Sequence, residues 1–140
     1  MIILDTNVVS ALMQREPEPS VVAWLDRQAA RSIWITTITV FECQFGLALL
    51  PKGKRRLTLE AAFEQVLQED IEHRVLPFDT AAALQAASLA AARQRAGRPV
   101  DMRDTQIASI ALACRASIAT RNLRHFEDLD VAVVDPWAQA

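Results

Sequence analysis

The stretch MIILDTNVVSAL, residues 1–12, carries the pattern on which the fold turns. Met1 to Leu4 are all apolar, and the run stops at Asp5. A short apolar run without alternation reads as a strand buried on both faces, as in a parallel sheet covered by helices. Thr6 and Asn7 then offer N-cap chemistry for a short helix through Val8, Val9, Leu12 and Met13. Asp5 therefore falls at the carboxyl end of a strand, where open α/β sheets bind their ligands. Taken alone, it is equally well a helix cap or a turn residue.

The same alternation runs to the far end of the chain. Pro17 and Pro19 end the first helix, and Ser20 can cap a second with Val21, Val22, Trp24 and Leu25 on its apolar face. Ile33-Trp34-Ile35 forms the next strand, followed by a helix from Thr37 through Phe41, Phe45, Leu47 and Leu50 to Pro51. Leu59, Phe63, Val66, Leu67 and Ile71 repeat at helical spacing, which predicts one long helix over residues 54–72. Val75-Leu76 is a third strand. Asp79 or Thr80 caps a helix to Arg95, Gly97-Arg98-Pro99 interrupts, and another helix spans Met102 to Cys114. Ser117 to Thr120 and Val131 to Val134 complete five strands. Strands alternating with helices predict an α/β sandwich around a mainly parallel sheet. With 140 residues and no linker or repeat, residues 1–140 are expected to form a single domain.

Hydrophobic residues make up 51% of the chain, which excludes disorder, and only 3 are Gly, which favours helices over turn-rich β architecture. The net charge of −2 provides no broad basic field for nucleic acid. A nucleic-acid enzyme can still be acidic overall if metal ions carry positive charge at its centre. Lys52, Lys54, Arg55 and Arg56, and separately Arg115, Arg121 and Arg124, read as solvated faces. Cys43 and Cys114 lie outside any CxxC spacing and are expected to be buried free thiols in a reducing compartment. The N-terminus lacks the basic region of a signal peptide, and no run approaches the ~20 apolar residues of a spanning helix. A soluble, cytoplasmic protein without a membrane partner is expected.

The acids carry the chemistry. Glu42 interrupts the otherwise apolar TVFECQFGLALL, residues 39–50, and neither Thr39 nor Phe45 beside it marks a charged face. Asp104 opens the helix after Pro99, three residues beyond Asp101. Asn122 ends ATRN, directly after the fourth strand. Each has a structural explanation of its own; acids in a first helical turn gain ~0.3–1 kcal/mol from the macrodipole. Together, however, the topology brings all four to one edge of the sheet. Two carboxylates ~5 Å apart at an effective dielectric near 20 repel by ~3 kcal/mol. A cation is therefore expected among Asp5, Glu42 and Asp104. Oxygen-only ligands suit Mg²⁺, with Mn²⁺ as the alternative, and neither His73 nor His125 has the pair spacing that zinc would use.

Three blocks now stand in order: IILDTNVVSAL, TVFECQFGLALL and GRPVDMRDTQIASIALACRASIATRNLRHF. They resemble the PIN-domain ribonucleases, and within them the VapC and FitB toxins of bacterial toxin–antitoxin pairs. The resemblance implies a PIN-like three-layer sandwich with a five-stranded sheet and Mg²⁺-dependent hydrolysis of RNA phosphodiesters. It makes Asp5, Glu42 and Asp104 the catalytic acids and metal ligands, with Asn122 as a fourth, variable catalytic group. It places Thr6 and Asn7 of DTN, and Thr120 and Arg121 of TRN, beside the substrate. It implies neutralisation by a cognate antitoxin, operator DNA reached only through that antitoxin, and a homodimer. Trp24, Phe45 and Phe63 are candidate dimer contacts, though core positions suit each of them better. Two departures stand out. Many relatives carry Asp-Phe where this chain has His125-Phe126, and the neutral Asn122 leaves the site three carboxylates, with Asp101 as a further candidate oxygen.

The rivals fit less well. A haloacid-dehalogenase phosphatase wants an acid two residues after the first, where this chain has Asn7, and a lysine other than Lys52 or Lys54. A dinucleotide-binding module wants GxGxxG after the first strand, and none is present. A degenerate PIN domain that binds RNA or a partner without cutting is the remaining alternative.

Overall fold

The computed structural model describes residues 1–138, so the last two positions of the expected domain lie outside the described residues. The strands are β1 (Ile2–Leu4), β2 (Ile33–Thr36), β3 (Val75–Leu76), β4 (Ser117–Ala119) and β5 (Val133–Val134). They form one sheet in the order β3-β2-β1-β4-β5, every neighbouring pair parallel. The helices are α1 (Thr6–Leu12), α2 (Pro19–Asp26), α3 (Thr37–Leu49), α4 (Lys54–Gln65), α5 (Thr80–Arg95) and α6 (Met102–Cys114).

The central strand shows why the apolar run has no polar alternation. Leu4 turns to one face, where it packs in a core with Val8, Val9, Val21, Trp24 and Phe63. Ile3 turns to the other, among Ile107, Ile110, Ala111, Ile118 and Phe126. Both side chains are fully buried, each contributing roughly 1.5–3 kcal/mol by leaving water. The result is the expected three-layer α/β sandwich.

The strand order also sets the site. From β1 the chain moves outward through β2 to β3, then crosses back to β4 on the other side of β1. The carboxyl ends of β1 and β4 therefore flank the switch point, the usual ligand crevice of such sheets. Asp5 and Thr120 are the residues that leave those two strands, and Asp5 N–H donates to the Ala119 carbonyl at 2.9 Å.

Several local expectations are corrected. The cap of α1 is Asp5 rather than Thr6 or Asn7, its carboxylate accepting from Thr6 N–H at 2.8 Å. Ser20 lies inside α2, which starts at Pro19 because a proline at the first helical position has no N–H to satisfy. The single helix expected over residues 54–72 ends as α4 and passes into a π-helical turn, Val66–Asp70. The wider turn, closed by Ile71 N–H on the Val66 carbonyl, lets Val66 and Ile71 both face the core. β5 is shorter than residues 131–134, with Val131 packed sideways against the second core cluster. Cys43 is buried and free as expected, but Cys114, in the last turn of α6, is exposed. Trp24 and Phe63 belong to the core, whereas Phe45 is 44% exposed. Among the described residues no helix is long and apolar enough to cross a membrane.

Candidate functional site

Asp5 is the centre of the candidate site. It is 4% exposed, and its two carboxylate oxygens have separate tasks. One caps α1 through Thr6 N–H; the other accepts the Thr120 hydroxyl at 2.7 Å and the Asn7 amide at 3.4 Å. Thr120, fully buried, is the hub of this side: its oxygen also accepts from Asn7 Nδ2 at 3.3 Å and from Asn122 N–H at 3.0 Å. The Asn7 carbonyl oxygen completes the bridge by accepting from Arg121 N–H at 3.3 Å. The DTN and TRN segments thus hold each other across the switch point.

Glu42 arrives from α3, whose N-terminus is capped by Thr36 accepting from Thr39 N–H at 3.2 Å. Its Oε1 accepts the Thr6 hydroxyl at 2.8 Å. Thr6 has one proton, so the 3.0 Å contact between its oxygen and that of Thr39 is donated by Thr39. Glu42 Oε2 accepts from Arg103 Nη1 at 3.4 Å. Asp104 stands in the first turn of α6, and its Oδ2 lies 2.6 Å from His125 Nδ1. A cavity of about 520 Å³ opens beside it, walled by Arg93, Arg98, Arg124 and His125.

The acids feel one another. Burial raises the Asp5 carboxyl from 3.8 to about 6; hydrogen bonds from Thr120 and Thr6 pull it down, and the charges of Asp104 and Glu42 push it up again. Asp104 is also raised, first by burial and then by Asp101, with His125 partly offsetting them. Burial pushes the Cys43 thiol, beside Glu42, up to about 12, so it stays protonated and takes no part in nucleophilic chemistry. As the side chains stand, no three His, Cys, Asp or Glu groups among the described residues are close enough to hold one metal ion. Glu42 is paired with Arg103 and Asp104 with His125. The donor set nevertheless fits a hard divalent cation, being all oxygen around a buried carboxylate that its neighbours destabilise.

The remaining expected residues fall on the rim or in the scaffold. Asn122 is exposed, and its backbone N–H rather than its side chain joins the network. The Arg121 guanidinium lies over the Trp137 ring, 5.0 Å from its centroid, and not in the candidate site. Asp101 is the N-cap of α6, accepting from Asp104 N–H at 3.0 Å, so that carboxylate serves the helix. Sequence reasoning missed Thr39, Arg93 and Arg103. Arg93 is buried and gathers the loop after β4: it holds Asp128 through two bonds of 2.9 Å, the His125 carbonyl at 2.7 Å and the Thr105 hydroxyl at 3.0 Å. Its signal was an arginine in an alanine-rich helix face, AAARQR.

Thr120 provides a test of this geometry. Thr120→Val keeps the shape and removes a hydrogen bond to a charged group, so a loss of about 1.5–3 kcal/mol is expected at neutral pH. With its first lowering contact gone, the Asp5 carboxyl should titrate still higher than about 6, as read by carboxyl NMR. An unchanged titration would mean that Thr120 does not hold Asp5.

Fold and site together define the class: an all-parallel α/β sandwich with a buried carboxylate at its switch point and two further acids, Glu42 and Asp104, beside it. The PIN domain family matches residues 2–132, and the chain belongs to that family. It is 39% identical over 140 residues to the VapC ribonuclease Y4jK of Sinorhizobium fredii, covering 100% of both chains. It is 36% identical over 137 residues to toxin FitB of Neisseria gonorrhoeae, covering 98% of this chain and 99% of that one. The solved structure of FitAB bound to an IR36 DNA fragment superposes with a TM-score of 0.89 at 36% identity, covering 100% of this chain and 98% of that chain.

Proposed function

We propose that this protein is a divalent-cation-dependent endoribonuclease toxin, a single PIN domain that hydrolyses RNA phosphodiesters and is neutralised by a cognate antitoxin. One observation carries the reading: the Asp5 carboxylate is buried at the switch point, with Glu42 and Asp104 near enough to add charge beside it. Full-length similarity to a ribonuclease and to a toxin supports it. Asp5, Glu42 and Asp104 would hold the ion, Mg²⁺ or its substitute Mn²⁺. Such an ion, when bound, lowers the pKa of a water and offsets charge on phosphoryl oxygens. Thr120 and Thr6 fix the carboxylates so that they need not reorganise, and Asn7 ties the two segments together. Asn122, exposed at the rim, would orient the attacking water, and Arg121 N–H, donated to the Asn7 carbonyl, would keep the DTN and TRN segments together.

Operator DNA would be reached only through the antitoxin, in keeping with the FitAB complex on a DNA fragment. The protein is proposed to be a cytoplasmic homodimer, with an interface not made by Trp24 or Phe63, which are core. Purified protein should cut RNA with Mg²⁺ or Mn²⁺ and stop on addition of chelator. Growth arrest on expression should be relieved by co-expressing the antitoxin. The pairing of Glu42 with Arg103 and of Asp104 with His125 favours one second reading, a degenerate domain that binds without cutting. RNA binding without metal-dependent cleavage would establish that reading instead.

A further inference from the structure

The cavity of about 520 Å³ beside Asp104 has three arginines in its wall. Arg93 is already committed, its guanidinium gripping Asp128 through two bonds. Gly97, at a φ of 72°, turns the chain out of α5, and Arg98 N–H closes that turn on the Arg93 carbonyl at 2.9 Å. The Arg98 guanidinium then reaches the turn after β4, donating to the Arg124 carbonyl at 3.1 Å and to Glu127 at 3.4 Å. Arg124 stands in the single 3₁₀ turn Leu123–His125 and is exposed. Among the described residues its guanidinium has no ion-pair partner. One arginine thus lines the cavity with its charge uncommitted. A second holds Glu127, whose side chain is 60% exposed, in a pair of the kind that adds little in water.

We propose that Arg124 and Arg98 form a phosphate subsite, which holds the RNA strand at a phosphate flanking the scissile one. The inference rests on the ribonuclease reading and names where that site grips its substrate. The composition of the wall selects a polyanion over a protein surface. Among the described residues Pro99 is the one apolar member of that wall, whereas the buried centre of a protein interface is apolar and depleted of charge. Two guanidinium forks side by side instead match phosphate oxygens, which accept from arginine in bidentate fashion. Position points the same way. Asp104 and His125 belong both to the cavity and to the candidate site, so a strand cut there lies against this wall. Charge completes the argument. Arg93, Arg98 and Arg124 are balanced in the wall by Asp101, Asp104 and Glu127 while the acids are bare. With Asp104 engaged by the proposed cation the balance turns positive, so strand and cation bind together.

The test is binding of a fluorescein-labelled single-stranded RNA oligonucleotide of mixed sequence to the full chain, with Ca²⁺ replacing Mg²⁺ so that the strand is held and not cut. Arg124→Gln should weaken binding roughly 10-fold. It should also lower the slope of log K against log salt by about 0.7, the value for one phosphate on a single strand. Arg124→Lys keeps the charge and should keep the slope. Both variants should melt like the parent, because the Arg124 side chain holds no carboxylate of the fold. Glu127→Gln releases Arg98 and should tighten binding by up to about 5-fold, a direction that a folding defect does not produce. Arg27→Gln makes the same charge change at the end of α2, which packs on the other face of the sheet from α6, and should alter neither affinity nor slope. Parent-like affinity and slope in Arg124→Gln would overturn the subsite. So would equal losses in Arg124→Gln and Arg27→Gln, which would reduce the effect to net charge. Weaker capture of the co-expressed antitoxin by Arg124→Gln, with RNA binding unchanged, would overturn it as well and make the cavity a partner surface. A parent protein that neither binds nor cuts RNA would instead remove the ribonuclease reading itself, and the subsite with it.

Discussion

Asp5→Asn is expected to abolish RNA cleavage and, with metal removed by chelator, to raise the thermal midpoint above pH 6. The activity loss should be roughly 10³-fold or more, because a metal clamp supplies several kcal/mol to the transition state. The stability gain follows from linkage. The Asp5 carboxyl sits at about 6 in the fold against 3.8 in its absence, so the folded state binds this proton more tightly. Stability attributable to the group is thus fully present below pH 3.8 and is lost as pH rises to about 6. The difference corresponds to roughly 3 kcal/mol at neutral pH. Asn carries no charge to desolvate and is as good a helix cap as Asp, so the α1 N-terminus should survive. Asp5→Ala loses the cap as well and should be about 0.5–2 kcal/mol less stable than Asp5→Asn. Thermal melts of the two variants and the parent from pH 4 to 8 check this. A variant less stable than the parent at every pH would mean that burial does not strain the Asp5 carboxylate.

The second large effect lies outside the candidate site, at Arg93. Arg93→Met should destabilise the protein by about 3 kcal/mol, measured by urea unfolding at pH 7. Breaking a buried ion pair costs about 3–5 kcal/mol because the partner is left uncompensated. The lower end applies because the Asp128 side chain keeps 21% of its exposure while that of Arg93 keeps 4%. Asp128 supplies the pH signature. The Arg93 hydrogen bonds, then its charge, hold that carboxyl below 3.8, so the pair contributes stability above 3.8 that is lost as pH falls further. Arg93→Met should erase that acid dependence. It also frees the His125 carbonyl, so the 2.6 Å contact of His125 with Asp104 should loosen. A parent-like urea midpoint would show that Asp128 and the loop are held by something else.

How much of this was legible beforehand depends on the range of each interaction. β1 and Asp5 could be read because a buried strand needs an unbroken apolar run and a carboxylate marks its end. Glu42 and Asp104 were legible because each lies within a few residues of a strand end or helix start, where topology alone places it. Arg93 was not, because two of its partners, His125 and Asp128, lie 32 and 35 residues away in a loop with no regular period. The helical spacing of Phe41 and Phe45 revealed a shared face and left open whether that face meets the core or water. The π-helical turn after α4 is invisible because Leu59, Phe63, Val66, Leu67 and Ile71 keep helical spacing across it. Ser20 and Thr6 were mistaken for caps because neighbouring residues, Pro19 and Asp5, satisfy the same ends by other means.

On the proposed function, Asp5, Glu42 and Asp104 share one divalent cation. Crystals soaked in Mn²⁺ and measured at its absorption edge test this directly. One anomalous peak is expected at about 2.0–2.2 Å from oxygens of these carboxylates, with Glu42 withdrawn from Arg103 and Asp104 from His125. An absence of any peak at saturating Mn²⁺, or a peak elsewhere with both pairs intact, would contradict it.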